Sequence, residues 1–456
     1  MTPALLRRAL AFCAAVICTT PAWSANDLYI VSPSGSDRSR GDLEHPLRTL
    51  REAIQRARPG DTIALRAGTY AGSVVINNPG RADAWIKLRN HAGEKATVLG
   101  DGKGPAIYFY HPSCDEYAPR RDELCQPMYW EIEGLEVVGS PDGEDDGNVV
   151  KIDTPRVNLL GNDLWGSHAD VVKLVRTAND VNLLGNRIHH PRAKNGDNAQ
   201  GVDIVGADRV RVAYNHIHDI PSIGVYAKGN ARNTVFEHNL LERTWSHALM
   251  LGQETDEDRL VDGRYETYDG VIRDNLVVQA GWSCLATSSS QNVLIEHNTC
   301  IDTGLETHGS VLVSNESEVH QAGTNIQITD NVFLTRSLLP MIKLAKEALT
   351  DPGTIRIDRN LYGSREGPRG VSFTWRDKRL EKVGLEAWRS ATRQDGASAL
   401  ADVRVEDGPG GPAGPRSATR TPLGGRGARG TPGPAGWKSP TIGAGAAAAS
   451  AASQAP

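Results

Sequence analysis

A lysine or an aspartate stands in the outward register of three short apolar segments: Lys173 in VVKLV (171–175), Asp203 in GVDIV (201–205) and, two places further along, Lys228 in GVYAK (224–228). Lysine held among few carboxylates can act as a base, and Asp170, Asp197 and Asp203 are hard oxygen ligands suited to Ca²⁺. Together they match a demanding proton abstraction. A proton beside a carboxylate is weakly acidic until that carboxylate is neutralised by a cation, after which a base can remove it. Lys228 is the expected base, because its register neighbours are Val205 and Gly252. Lys173 stacks beside Asp203, which favours the charged ammonium and so suits carboxylate neutralisation. Tyr226, Gln253 and His190 are the candidate substrate-binding residues, and Ca²⁺ the candidate cofactor.

Plain structural roles compete with each of these. Lys173 and Asp203 also read as an ordinary cross-strand ion pair worth under about 1 kcal/mol, and Lys228 as a solvated surface lysine. His189, His190, His216 and His218 fit zinc ligation or acid–base work less often than hydrogen bonding at a turn. Glu254, Asp256, Glu257 and Asp258 read first as a solvated acidic loop. Trp245 and Trp282 stack on sugar rings or pack under a loop.

The elements that place these residues repeat. Eight strand-like segments end in asparagine, at Asn162, Asn186, Asn215, Asn239, Asn275, Asn298, Asn331 and Asn360, separated by 24, 29, 24, 36, 23, 33 and 29 residues. Alternation over so few residues means strand rather than helix. Most units carry a second strand about a dozen residues upstream, the pattern of a stacked β-solenoid. Equivalent side chains of stacked coils then line up at about 4.8 Å, and an inward asparagine can bond its neighbours above and below. The asparagines from Asn162 to Asn298 are expected at equivalent corners, each within roughly 10 Å of the next. One outward row runs Lys173, Asp203, Tyr226, Met250, Ala286, Leu312; a second runs Val175, Val205, Lys228, Gly252, Ser288, Ser314. The longest insertions, from His189 to Asn198 and from Gln253 to Tyr268, flank the polar part of those rows, where they can wall a groove.

The ends and the composition complete the frame. Residues 1–24 read as a signal peptide, with Arg7 and Arg8 before an apolar run and a small-residue cleavage site. The expected location is therefore periplasmic or extracellular. No later stretch is apolar enough to span a membrane. Residues 46–60 read as a helix with Thr49 and Glu52 spaced as a capping box, covering the N-terminal end of the solenoid. The domain runs 25–404, with an N-terminal cap over 27–105 and a C-terminal cap over about 361–404; residues 405–456 read as a disordered Gly/Pro/Ala-rich tail. Of the four cysteines outside the signal peptide, Cys114 and Cys125 bracket a short polar loop and are expected to pair. Cys284 and Cys300 are equally consistent with a bridge or with buried thiols. A net charge of −5 with no basic block argues against nucleic acid.

The segment YIVSPSGSDRSRGDLEHPLRTLREAIQRARPGDTIALRAGTY (29–70) resembles the opening of bacterial right-handed β-helix proteins of the polysaccharide-lyase type, including pectate lyases of family nine and alginate and chondroitin lyases of family six. The coils GVYAKGNARNTVFEHN and LGQETDED, with YETYDGVIRDNLVV, resemble right-handed parallel β-helix repeat proteins. The segment LEAWRSATRQDGAS (385–398) resembles the segment that follows their last coil. The resemblance covers about residues 27–404. It implies an all-β, single-stranded right-handed parallel β-helix, and a carbohydrate-active function. Where family-nine lyases carry a lysine motif of Asp, Gly, Phe, Ala and Lys type, this chain has Ala169-Asp170-Val171-Val172-Lys173. The expected activity is a lyase on an acidic polysaccharide. The alternatives are a C5-epimerase or a non-catalytic glycan-binding solenoid. The expected protein is a monomer whose partner is that polysaccharide.

Overall fold

A computed structural model describes residues 28–115, 125–140, 147–315 and 320–401. The segments read as signal peptide and as C-terminal tail lie outside the described residues. Within them the chain winds as a parallel β-helix with three strands per coil, the larger of the two or three that the sequence repeat implies. The strands stack into three sheets, parallel except where Phe373–Trp375 meets Leu380–Val383. The asparagine-ending strands belong to the first, which includes Asn182–Leu184 and Arg211–Ala213. A short second strand follows each asparagine, as in Arg187–His189 and His216–Ile220, and builds the histidine-bearing sheet. Val172–Leu174, Val202–Val205, Val225–Lys228 and Leu249–Leu251 belong to the lysine-bearing sheet.

Alternation decides which side chains enter the core. On the lysine-bearing sheet, Val172, Val202, Val225 and Leu249 stack inward, as do Leu174, Ile204, Ala227 and Leu251; all are fully buried. Burying each large aliphatic side chain contributes about 1.5–3 kcal/mol. The residues between them point outward. Lys173, Asp203, Tyr226, Met250, Ala286 and Leu312 therefore form one row in register, as the repeat implies, and Val205 pairs with Lys228 in the next.

The asparagines form one continuous ladder. Each donates its backbone N–H and side-chain Nδ2 to Oδ1 of the asparagine one coil on, from Asn162 through Asn331 to Asn360. At Asn215 these distances are both 3.0 Å to Asn239, and Nδ2 also reaches Leu183 O at 2.9 Å. The ladder opens on Leu135 N–H and closes where Asn360 N–H meets Ser398 Oγ at 2.9 Å.

The helix spans Leu50–Arg56 and buries Leu50, Ala53 and Ile54 in the common core. Its capping box is half made. Glu52 N–H donates to Thr49 Oγ1 at 3.2 Å, but Thr49 N–H is taken by Asp37 at 2.8 Å, and Glu52 pairs with Arg56 instead. A second helix, Leu385–Thr392, buries Trp388, whose indole N–H meets the buried Asp395. Cys114 and Cys125 are bridged, with Cα atoms 4.4 Å apart. Cys284 and Cys300 are bridged as well, at 6.0 Å: Cys284, at the corner before Leu285–Ser288, and Cys300, on the strand Thr299–Thr303 of the next coil, are both buried in the core.

Replacing a ladder asparagine strands two buried donors on the asparagine before it and takes the Nδ2 donor from the next asparagine's Oδ1 and from a backbone carbonyl, at about 1–3 kcal/mol per unsatisfied group. Asn215→Ala should therefore lower the thermal midpoint markedly, whereas Asn158→Ala, in the half-buried outer row, should shift it little. Differential scanning calorimetry reads both; equal shifts would refute the inner ladder as a main stabiliser.

Candidate functional site

Lys173 and Lys228 lie on adjacent outward rows two coils apart, over a cavity of about 470 Å³. Its lining carries Lys151, Lys173, Lys228 and Arg259 against Asp170, Glu254 and Asp256. Lys151 pairs in register with Lys173 one coil earlier, so the row of cations begins before the first asparagine motif. The chain reaches this cavity from two sides. Asn198 ends the insertion before one strand, and Glu254, Thr255, Asp256 and Arg259 belong to the insertion after another.

The two lysines differ in their partners. Lys173 Nζ contacts Asp203 directly and sits 3.4 Å from Asp170. Those carboxylates are 1% and 3% exposed, and only the lysine reaches solvent. Burial pushes the Asp170 carboxyl up and pulls the Lys173 ammonium down, and the contact between them offsets both shifts only in part. Lys228 has no hydrogen bond or ion pair at contact distance among the described residues; its ammonium lies 5.2 Å from the Tyr226 ring centroid. Burial lowers its pKa below the ordinary lysine range, partly offset by Glu266, Asp170 and Asp256.

Glu266 organises this end of the groove. Its buried carboxylate accepts Gly229 N–H at 2.7 Å, Thr255 N–H at 2.8 Å and the Thr255 hydroxyl at 2.7 Å, and faces His320 Nδ1 at 3.3 Å. His320 Nε2 meets Thr255 O at 3.1 Å. The 253–265 insertion is thereby tied to the residue that follows Lys228. The sequence reading missed Glu266 and His320, as it missed Lys151 and Arg259. Glu266 stands alone among aromatics in YETY, and His320 joins it only through the fold.

The remaining sequence candidates scatter. Tyr226 is in the expected row but only 2% exposed, packed with Ile223, Met250, Ala286 and Leu312 in an apolar cluster separate from the main core. It supports Lys228 from below rather than offering a face to substrate. Gln253 begins the insertion at the rim and is absent from the cavity lining. His190 is on the histidine-bearing side of the coil, in a different cavity. Asp197 is exposed and accepts Lys194 N–H at 2.7 Å, closing its own turn. Of the three proposed Ca²⁺ ligands, only Asp170 and Asp203 converge, and the Lys173 ammonium sits between them. Ca²⁺ takes six to eight oxygens, so this donor set does not fit the ion.

Residues 149–333 match the family described as right handed beta helix region. Over 188 residues the chain is 31% identical to Pectate lyase PEL9 of Emericella nidulans, covering 40% of this chain and 44% of that one. Over 84 residues it is 34% identical to Uncharacterized protein YwoF of Bacillus subtilis, 18% of each. The chain thus spans less than half the length of these curated relatives. Among solved structures, the complex of XylC with xylose aligns over 84% of this chain and 88% of its own, at 11% identity and a TM-score of 0.49. Pectate lyase Pel9A aligns over 77% of each chain, at 13% identity and 0.43. The fold is a right-handed parallel β-helix like that of polysaccharide lyases.

Lys228 should react with an acylating reagent at lower pH than the surface lysines Lys87 or Lys194, in competitive labelling read by mass spectrometry. Folding weakens its hold on a proton, so its contribution to stability rises with pH between its lowered folded pKa and the ordinary lysine value. A labelling midpoint equal to that of the surface lysines would contradict the burial argument.

Proposed function

We propose that the groove binds an acidic, uronic-acid-containing polysaccharide and cleaves it by β-elimination. The observation that carries this reading is Lys228: a half-buried amine without an ion-pair partner, beside a second lysine clamped by carboxylates. Lys173, with Lys151 and Arg259, faces the uronate carboxylate and stabilises the charge that develops on it. No step is routed through Ca²⁺; ammonium and guanidinium groups do the neutralising. Lys228 takes the proton at C5, its electron pair becomes the C4–C5 double bond, and the C4–O4 bond breaks. The departing oxygen takes a proton from water or from the Lys228 ammonium just formed, leaving a new non-reducing end with an unsaturated uronate.

Two features agree with this setting. The two disulfides suit an oxidising compartment, consistent with export directed by residues 1–24. In this reading the helix Leu50–Arg56 covers the N-terminal end of the coil, and the protein works as a monomer along its own groove. Among the described residues no helix is long and apolar enough to cross a membrane.

The unsaturated product absorbs in the near ultraviolet. The protein should raise that absorbance on pectate, alginate or a glycosaminoglycan. Lys228→Ala should lower the rate a hundredfold or more, about the contribution of one positioned base. Lys228→Arg should not restore it, because guanidinium does not deprotonate. Activity should survive chelation of Ca²⁺. A changed uronate ratio by NMR without cleavage would identify an epimerase. Silence in both assays, with saturable binding of the polymer, would identify a glycan-binding solenoid.

A further inference from the structure

On the histidine-bearing sheet, four imidazoles come together on the outer face, away from the lysine groove. Trp165, His189, His218 and Glu242 form one register row; Asp163, Arg187, His216 and Leu240 form the other. The His189 and His218 rings stack 4.7 Å apart, tilted by only 6°, and His190 turns back toward both from a corner with φ +46°. Ligand atoms of His189, His190 and His218 all lie within 4.8 Å of one another.

The hydrogen bonds around these rings set which nitrogens are available. His189 Nε2 lies 2.7 Å from Asp163 Oδ1, which fixes the proton there and leaves the Nδ1 lone pair facing His190 Nδ1 at 2.8 Å. Two such nitrogens must share one proton, unless a cation takes its place. At metal–nitrogen bonds of about 2.0 Å, a 2.8 Å separation corresponds to an angle of roughly 90° at the metal. That angle suits a square or octahedral ion better than a tetrahedral one. His218 Nδ1 lies 2.6 Å from Asp219, itself held by Arg243. Carboxylates behind two of the rings are the usual outer support of metal-binding histidines.

The geometry points to a site for a divalent late transition metal, Ni²⁺ or Cu²⁺ ahead of Zn²⁺, with His189, His190 and His218 as ligands and Asp163 and Asp219 orienting two of them. Arg187 is the built-in competitor. Its Nε donates to His218 Nε2 at 3.1 Å, and it is half exposed with Asp163 as an alternative partner 3.4 Å away. The metal displaces Arg187 from the ring. A cavity of about 500 Å³, lined by Trp165, Arg187, His189, His190 and Arg192, opens beside the cluster and leaves room for water or a small anion as further ligands.

The test is titration of the mature, tag-free protein with NiCl₂ by calorimetry, and with CuCl₂ by electron paramagnetic resonance. One equivalent should bind with micromolar or tighter affinity, with hyperfine coupling from several nitrogens. His189→Ala and the exposed-residue variant His190→Ala should each weaken binding at least about tenfold. Arg187→Ala should tighten it. Lys228→Ala should bind as wild type does, which separates this site from the lysine groove. Unchanged thermal midpoints in EDTA check that the variants fold. Absence of saturable binding below about 100 µM, indifference to both histidine variants, or a purely oxygen-donor spectrum would overturn the proposal.

Discussion

Each coil must bring the chain back one strand spacing from where it left, and everything else in the molecule follows from that constraint. The asparagine ladder enforces it. A buried corner exposes backbone donors that have no place in a strand, and each Asn Oδ1 accepts one such N–H together with the side-chain N–H of the asparagine in the coil before, while its own Nδ2 donates back to a carbonyl of that coil. The side chain is short enough to stay inside the turn and carries both donor and acceptor. Insertions of very different length can therefore leave at other corners and return without shifting the register.

Register then becomes chemistry. Residues on one outward row are held about 4.8 Å apart by the backbone, so like and unlike charges face each other whether or not that is favourable. Lys173 resolves its position by contact with Asp203 and Asp170. Lys228 does not, and the neighbouring wall, fixed by Glu266, withdraws it from water. One lysine is thus paired with two carboxylates and the next is left without an ion-pair partner, within one groove. The difference arises from the neighbour in the stack, not from the residue type.

Much of the frame was legible because it is periodic. The asparagine spacing located the ladder, the alternation assigned inward and outward faces, and the row from Lys173 to Leu312 emerged in the register read from sequence. What escaped lies outside the period. Glu266 and His320 meet across insertions whose lengths say nothing about where they fold. Lys151 belongs to a coil before the first asparagine motif. Tyr226 shares the outward row yet is roofed over, since alternation reports direction and not cover. Asp197 was grouped with Asp170 and Asp203 by type, but in its insertion it serves its own turn. The pairing of Cys284 with Cys300 depends on a corner that neither strand pattern locates.

The most direct measurement of the central claim is a crystal structure of Lys228→Ala with a bound uronic-acid oligosaccharide. The account predicts a uronate carboxylate against Lys173, and C5 of that residue within about 4 Å of where the Lys228 amine would reach, a hydrogen-bond span from the proton to be moved. An oligosaccharide seated on another face of the coil, or in this groove with its carboxylates turned away from Lys173, would contradict it.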